Sequence, residues 1–191
     1  MCSRVALLVM IGGCELVFPL ETPIDGPPID APTEIDAAPL KCPTGYVVIA
    51  GAPTTSRYRK SLALFPDWFT SVADCLSDKQ TTSPPTHLIV MSNLAEFDAI
   101  RTDFNNINFW IGFSDVKVDG TFQTVSTEQP NFPADNTAAA GSFPWAVSQP
   151  TDSPAPTCVI HAGQRLVAVV CGQMQEHICE CDQFADAPGK H

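Results

Sequence analysis

Six cysteines fall between positions 42 and 181: Cys42, Cys75, Cys158, Cys171, Cys179 and Cys181. No other feature constrains the chain as much. An even set spread so widely implies an oxidising compartment and covalent closure over long stretches. Six cysteines allow about 15 ways of forming three bridges, and the cysteines alone do not choose among them. The chain is 45% hydrophobic, enough to bury a core, so it is not disordered throughout. Its formal net charge of −11, with no compact Lys/Arg cluster, argues against a nucleic-acid partner, because phosphate would be repelled. No apolar run reaches the roughly 20 residues that span a bilayer.

The first residues read as an export address. Arg4 precedes the apolar run Val5 to Ile11, and Gly12-Gly13-Cys14 follows. A run this short fits a signal peptide over residues 1–13. Ile11-Gly12-Gly13-Cys14 resembles the lipobox of bacterial lipoproteins, which implies acylation of Cys14; each acyl CH₂ buried in lipid contributes about 0.8 kcal/mol. The alternative is an ordinary signal peptide with an incidental cysteine. Residues 14–41 hold six prolines and six acids against one base, Lys41. Proline fixes φ and removes backbone donors, so neither helix nor sheet propagates. The stretch reads as an extended, lipid-anchored tether that holds a domain away from a membrane or cell surface.

Residues 42–191 read as one folded domain. Strands are expected at Gly45–Ala50 and Ser56–Leu64. Asp67 caps a helix to about Lys79, with Trp68, Val72, Cys75 and Leu76 on one face. His87–Met91 reads as a strand. Asn93, with Glu96 three residues on, starts a second helix in the manner of a capping box. Phe109–Phe113, Thr121–Ser126, Thr157–Ala162, Arg165–Cys171 and His177–Cys181 read as strands. Residues 127–156 are rich in Pro, Asn, Ser and Ala, and read as a long loop; such loops often carry function. Helices beside antiparallel strands give an α+β class.

That order of motifs resembles the C-type lectin-like domain, from Cys42 to Asp182. The segments that carry it are Trp68 through Cys75, Thr86-His87-Leu88 with Glu96 and Ile100, and Trp110-Ile111-Gly112 with Asp115. Trp145 with Gln149-Pro150, then Cys158-Val159, then His177-Ile178-Cys179-Glu180 complete it. The resemblance implies two helices flanking small antiparallel sheets, with a long irregular loop carrying ligand contacts. It also implies disulfides Cys75–Cys179 and Cys158–Cys171, which leaves Cys42 and Cys181 to pair at the domain's ends. The other use of Cys179-Glu180-Cys181 is a metal site with His177 or His161, but no second close Cys/His pair completes a zinc set.

The resemblance makes Trp145, Gln149, Thr151 and Asp152 the candidate ligand loop. Sugar-binding members hold calcium there through an acidic or amide triplet and a Trp-Asn-Asp triplet. Here those positions read Gln149-Pro150-Thr151 and Leu166-Val167-Ala168, and Pro156-Thr157 replace the acid before Cys158. Calcium takes six to eight oxygens, so no metal and no cofactor are expected. Trp145 reads as the floor under the loop or as a stacking platform. Arg57-Tyr58-Arg59-Lys60 reads as a solvated strand face, and His87 as a hydrogen-bonded structural residue. No Ser-His-Asp, H-E-x-x-H or phosphate-cradling motif points to an enzyme. The expected function is an exported, non-catalytic binding module for a protein or carbohydrate ligand. The alternative is a structural or protective envelope lipoprotein without a specific ligand.

Overall fold

The structure is a computed structural model that describes residues 41–61, 67–105, 107–130, 144–151 and 155–191. The expected signal peptide, Cys14 and all of the tether but Lys41 lie outside the described residues, as do residues 131–143 of the expected loop and Asp152.

Strand β1 (Arg57–Lys60) leads to helix α1 (Trp68–Ser77). The Asp67 side chain accepts from Thr70 N at 2.6 Å and starts α1, which buries Trp68, Ser71, Val72 and Cys75. Strand β2 (Thr86–Leu88) precedes α2 (Leu94–Asp103), where Asn93 accepts from Glu96 N at 3.0 Å. Glu96 does not return the bond to the cap residue. Its Oε2 reaches one residue further, to Ser92 N and Ser92 Oγ, both at 2.8 Å. Strands β3 (Phe109–Ser114), β4 (Gln123–Thr124), β5 (Thr157–Ala162), β6 (Arg165–Val170) and β7 (Glu176–Cys181) follow.

The class is α+β, with one correction to the expected antiparallel sheets. The seven strands are hydrogen-bonded in the order β1-β7-β3-β5-β6, with β2 also on β7 and β4 on β3. β7 runs antiparallel to β1 and β2 but parallel to β3, where Trp110 sits opposite His177. The sheet is therefore mixed. The expected strand at Gly45–Ala50 shrinks to one bridge, Val47 to Tyr58. Gly45 and Gly51 at its ends have φ of +94° and +89°, so the chain turns before a ladder forms. The strand expected over His87–Met91 leaves the ladder after Leu88. Ile89 N then bonds Ile178 O at 3.0 Å, and Gly112 N bonds Ile89 O at 2.7 Å.

Three disulfides close the domain: Cys42–Cys181, Cys75–Cys179 and Cys158–Cys171, with Cα separations of 6.0, 5.2 and 4.9 Å. The pairs are those the resemblance implies. Between the sheet and α1, Trp68 and Trp110 are fully buried.

Gly112 is needed because another segment crosses β3 at this point. A Cβ there would sit 2.7 Å from Leu88 O and 2.7 Å from Val125 Cγ2. Backbone cannot give way as a flexible side chain does. Gly112→Ala should cost about 1–3 kcal/mol through overpacking, read as a lower urea midpoint at unchanged slope. An unshifted midpoint would show that the crossing has room.

Candidate functional site

The described part of the long loop returns along β6. Leu166 N donates to Pro144 O at 2.9 Å, and Ala146 N donates to Leu166 O at 3.0 Å. These bonds place Trp145 inside. It is 1% exposed, and its ring lies 5.8 Å from that of Phe122, tilted by 59°. Trp145 therefore anchors the loop from below and offers no open face for stacking a ligand.

Beyond Trp145 the chain turns outward. Val147 is 87% exposed, Ser148 has φ of +64°, and the Gln149–Pro150 peptide is cis. Gln149 then folds its carboxamide back on the sheet. Its Oε1 accepts from Ala168 N at 2.8 Å and from Thr151 N at 3.3 Å. Ala168 belongs to the apolar triplet Leu166-Val167-Ala168, so the loop is held to β6 by the one side-chain oxygen that a cation there would need. Thr151 is exposed; Asp152 lies outside the described residues. Trp145, Gln149 and Thr151 thus come together at one end of β6, in different roles: floor, clamp and surface.

Asp115, from the Trp-Ile-Gly motif region, is 2% exposed and committed to structure. Its Oδ1 accepts from Thr157 N at 2.6 Å, and its Oδ2 from Thr157 Oγ1 at 2.8 Å. It seats the start of β5 where the loop rejoins the sheet.

Other candidates also resolve into structural roles. The basic cluster is not a solvated face. Tyr58 is fully buried and donates to Glu96, while Arg59 pairs with Asp74 and Asp78 and Lys60 with Glu176. Each basic strand residue has an acidic or carbonyl partner, Arg57 on Thr54 O and Ser56 O. The alternative metal site at the terminal cysteines is consumed by disulfides, which leaves no thiolate. His161 is hydrogen-bonded to Ile107 O and stacks on Phe109, and His177 lies 2.7 Å from Asp74. Burial lowers the pKa of both. His87 is buried and hydrogen-bonded, at 3.0 Å to Leu88 O.

One polar centre is not gathered by any single motif. His87, Glu128, Glu180 and Asp182 are all buried, and one potential ligand atom from each lies within 4.8 Å of the others. They come from three stretches of chain, with Glu180 and Asp182 two residues apart, and acids are read as exposed by default, so no spacing brings the four together.

The profile of the family described as Lectin C-type domain matches residues 68–181. Among solved structures, the mouse scavenger receptor C-type lectin carbohydrate-recognition domain is 17% identical, with a TM-score of 0.56; the match covers 76% of this chain and 98% of that one. A calcium-independent type II antifreeze protein is 19% identical over 75% of this chain and 95% of its own, with a TM-score of 0.57. The cow C-type carbohydrate-recognition domain of CD23 is 18% identical over 75% and 97%, also at 0.57. At these identities the likeness is one of fold. No curated protein matches the chain.

Proposed function

The chain belongs to the C-type lectin domain family, and from that premise we propose that it is an exported, non-catalytic binding module whose long loop recognises a protein or glycan without calcium. Domains of this family are binding modules, and three disulfides fit an extracellular setting. One observation carries the calcium-free reading. The Gln149 oxygen, which stands at the family's ligand position, is spent on two backbone amides. The opposite positions, Leu166, Val167 and Ala168, have no side-chain oxygen, and their backbone groups are engaged with the β5 ladder and the returning loop. The residues present do not fit a cation that takes six to eight oxygens. The fold stands without calcium in the antifreeze protein described as calcium-independent.

Recognition then rests on what the loop presents. Val147 and Thr151 are exposed beside the clamp, and Asp152 follows them in sequence. Cys14 acylation and the 14–41 tether belong to the same reading, with the domain held off a membrane or cell surface by an extended acidic spacer.

Calcium titration of the whole protein, followed by calorimetry and thermal melting, tests the reading. No heat of binding below about millimolar calcium and no melting shift are expected. Sub-millimolar binding that disappears in Asp152→Ala would restore a calcium-dependent sugar site. A glycan array with and without calcium then separates glycan from protein ligands.

A further inference from the structure

We propose that His87, Glu128, Glu180 and Asp182 form a closed internal site for a first-row divalent metal ion of the zinc and manganese class. The inference does not depend on what the long loop binds.

Three stretches of chain build the centre. His87 on β2 sits opposite Glu180 on β7 in the ladder, and Asp182 follows β7 directly. Glu128 arrives from beyond β4. Its amide donates to Ser126 Oγ at 3.2 Å, and its carbonyl accepts from Thr124 Oγ1 at 3.1 Å. None of the four residues is more than 3% exposed. Glu96 is buried close by, with its oxygens taken by Tyr58 and Ser92, so it adds negative charge without offering a free ligand atom.

The charge balance is one-sided. Among the described residues, no lysine or arginine makes an ion pair with any of the four, and their one mutual pair, His87 with Asp182, is ionic only when the ring carries a second proton. Buried charges are paired, coordinate metals, or are neutralised by protons. Burial pushes Glu128 up to about 9, with Glu96 and Asp182 adding to it. Burial likewise pushes Glu180 well above the usual carboxylate range, reinforced by Glu96, Glu128 and Asp182. The centre calls for positive charge.

Geometry points to a metal as the source. His87 Nδ1 lies 3.0 Å from Leu88 O, a carbonyl to which it donates, and Nε2 is the ring atom that faces the centre. Nε2 lies 3.2 Å from Asp182 Oδ1, where either a ring proton or a metal ion would join the two. A ring N–H tied to a backbone carbonyl is the arrangement that orients metal-ligating histidines. Three carboxylate oxygens, Glu128 Oε2, Glu180 Oε1 and Asp182 Oδ2, are buried without a hydrogen bond. Their second oxygens are held where bonds exist: Glu180 Oε2 accepts from Val90 N and Asp182 Oδ1 from Phe184 N. One imidazole nitrogen with carboxylate oxygens, shut off from water, suits a four-coordinate closed site. Calcium prefers more oxygens and no nitrogen. An ion there would tie the root of the long loop, at Glu128, to β2 and β7.

Two measurements test the site. The first is the metal content of the whole protein as purified without chelator, by inductively coupled plasma mass spectrometry. The second unfolds the protein in guanidinium with a chelator, disulfides intact, and refolds it with zinc, manganese, calcium or no metal. Close to one equivalent of zinc or manganese is expected to survive gel filtration. Refolding with that ion should raise the melting temperature by about 5 °C or more over the metal-free protein. Cobalt refolded into the site should give the visible absorption of nitrogen–oxygen coordination. Glu128→Gln, which keeps volume and removes one charge, should cut the bound metal at least tenfold while keeping the far-ultraviolet dichroism of the parent. No bound metal together with equal melting in every bath would overturn the proposal and leave protons as the neutralising charge. Stabilisation by calcium alone would overturn it too, since the donor set would then not select as argued.

Discussion

Removing Cys75–Cys179 and Cys42–Cys181 together should destabilise the domain by more than the two single removals combined. Each bond removed alone, by paired Cys→Ala changes, is expected to cost about 2–4 kcal/mol. The bonds are nested: one spans 139 residues and the other lies within it, spanning 104. While either survives, the other closes only the shorter remaining segment of an already restricted chain. With both gone the whole long loop opens. Loop entropy grows with the logarithm of length, so the excess over additivity is roughly 1 kcal/mol. Cys158–Cys171 lies inside both loops but spans only 13 residues, across β5, β6 and the residue after it, so it shortens them little and its loss should nearly add. Urea unfolding of the four combinations checks the sign. Strict additivity, or a sum larger than the joint loss, would reject the nested picture.

Trp68→Ala is expected to lose about 3–5 kcal/mol. The indole is fully buried at the start of α1, and its Nε1 donates to Ile111 O at 2.8 Å. Truncation leaves a cavity between helix and sheet and an unpaired carbonyl on β3. Domains of this size have about 5–15 kcal/mol to lose, so the variant should be barely folded. Trp68→Phe separates the two contributions, because it keeps most of the volume and loses only the donor. It should cost much less than the alanine change, on the order of the 1–3 kcal/mol of an orphaned acceptor. Equal losses in both variants would mean that the hydrogen bond, and not the packing, holds α1 to the sheet.

What the sequence made legible followed from local rules. Asp67 and Asn93 start helices because short polar side chains accept from the third helical amide, and both do so here. The buried run Phe109–Phe113 and the hairpin of β5 and β6 were readable from β-branched and aromatic runs. Gly45–Ala50 was misread because apolar composition does not reveal two left-handed glycines at its ends. The parallel pairing of β3 with β7 joins distant stretches, and period-two patterns carry no direction. At the candidate site, sequence placed Gln149 in the loop but not its bond to Ala168, which depends on how the loop folds back. Glu180 stood out only as part of the terminal motif, and its partners Glu128 and Asp182 did not, because only the assembled fold buries them side by side.

The position of β7 sets the order in which this molecule comes into being. Among the described strands, β7 comes last in sequence and is bonded to β1, to β2 and to β3. No ladder with it can begin until Glu176–Cys181 has been made, so until then the nascent domain carries β1, β2 and β3 without this shared partner. Long-range pairing of this kind is slow to form. A domain that stays open until β7 arrives closes in one late step, and oxidation of Cys179 and Cys181 then fixes that strand to Cys75 and Cys42.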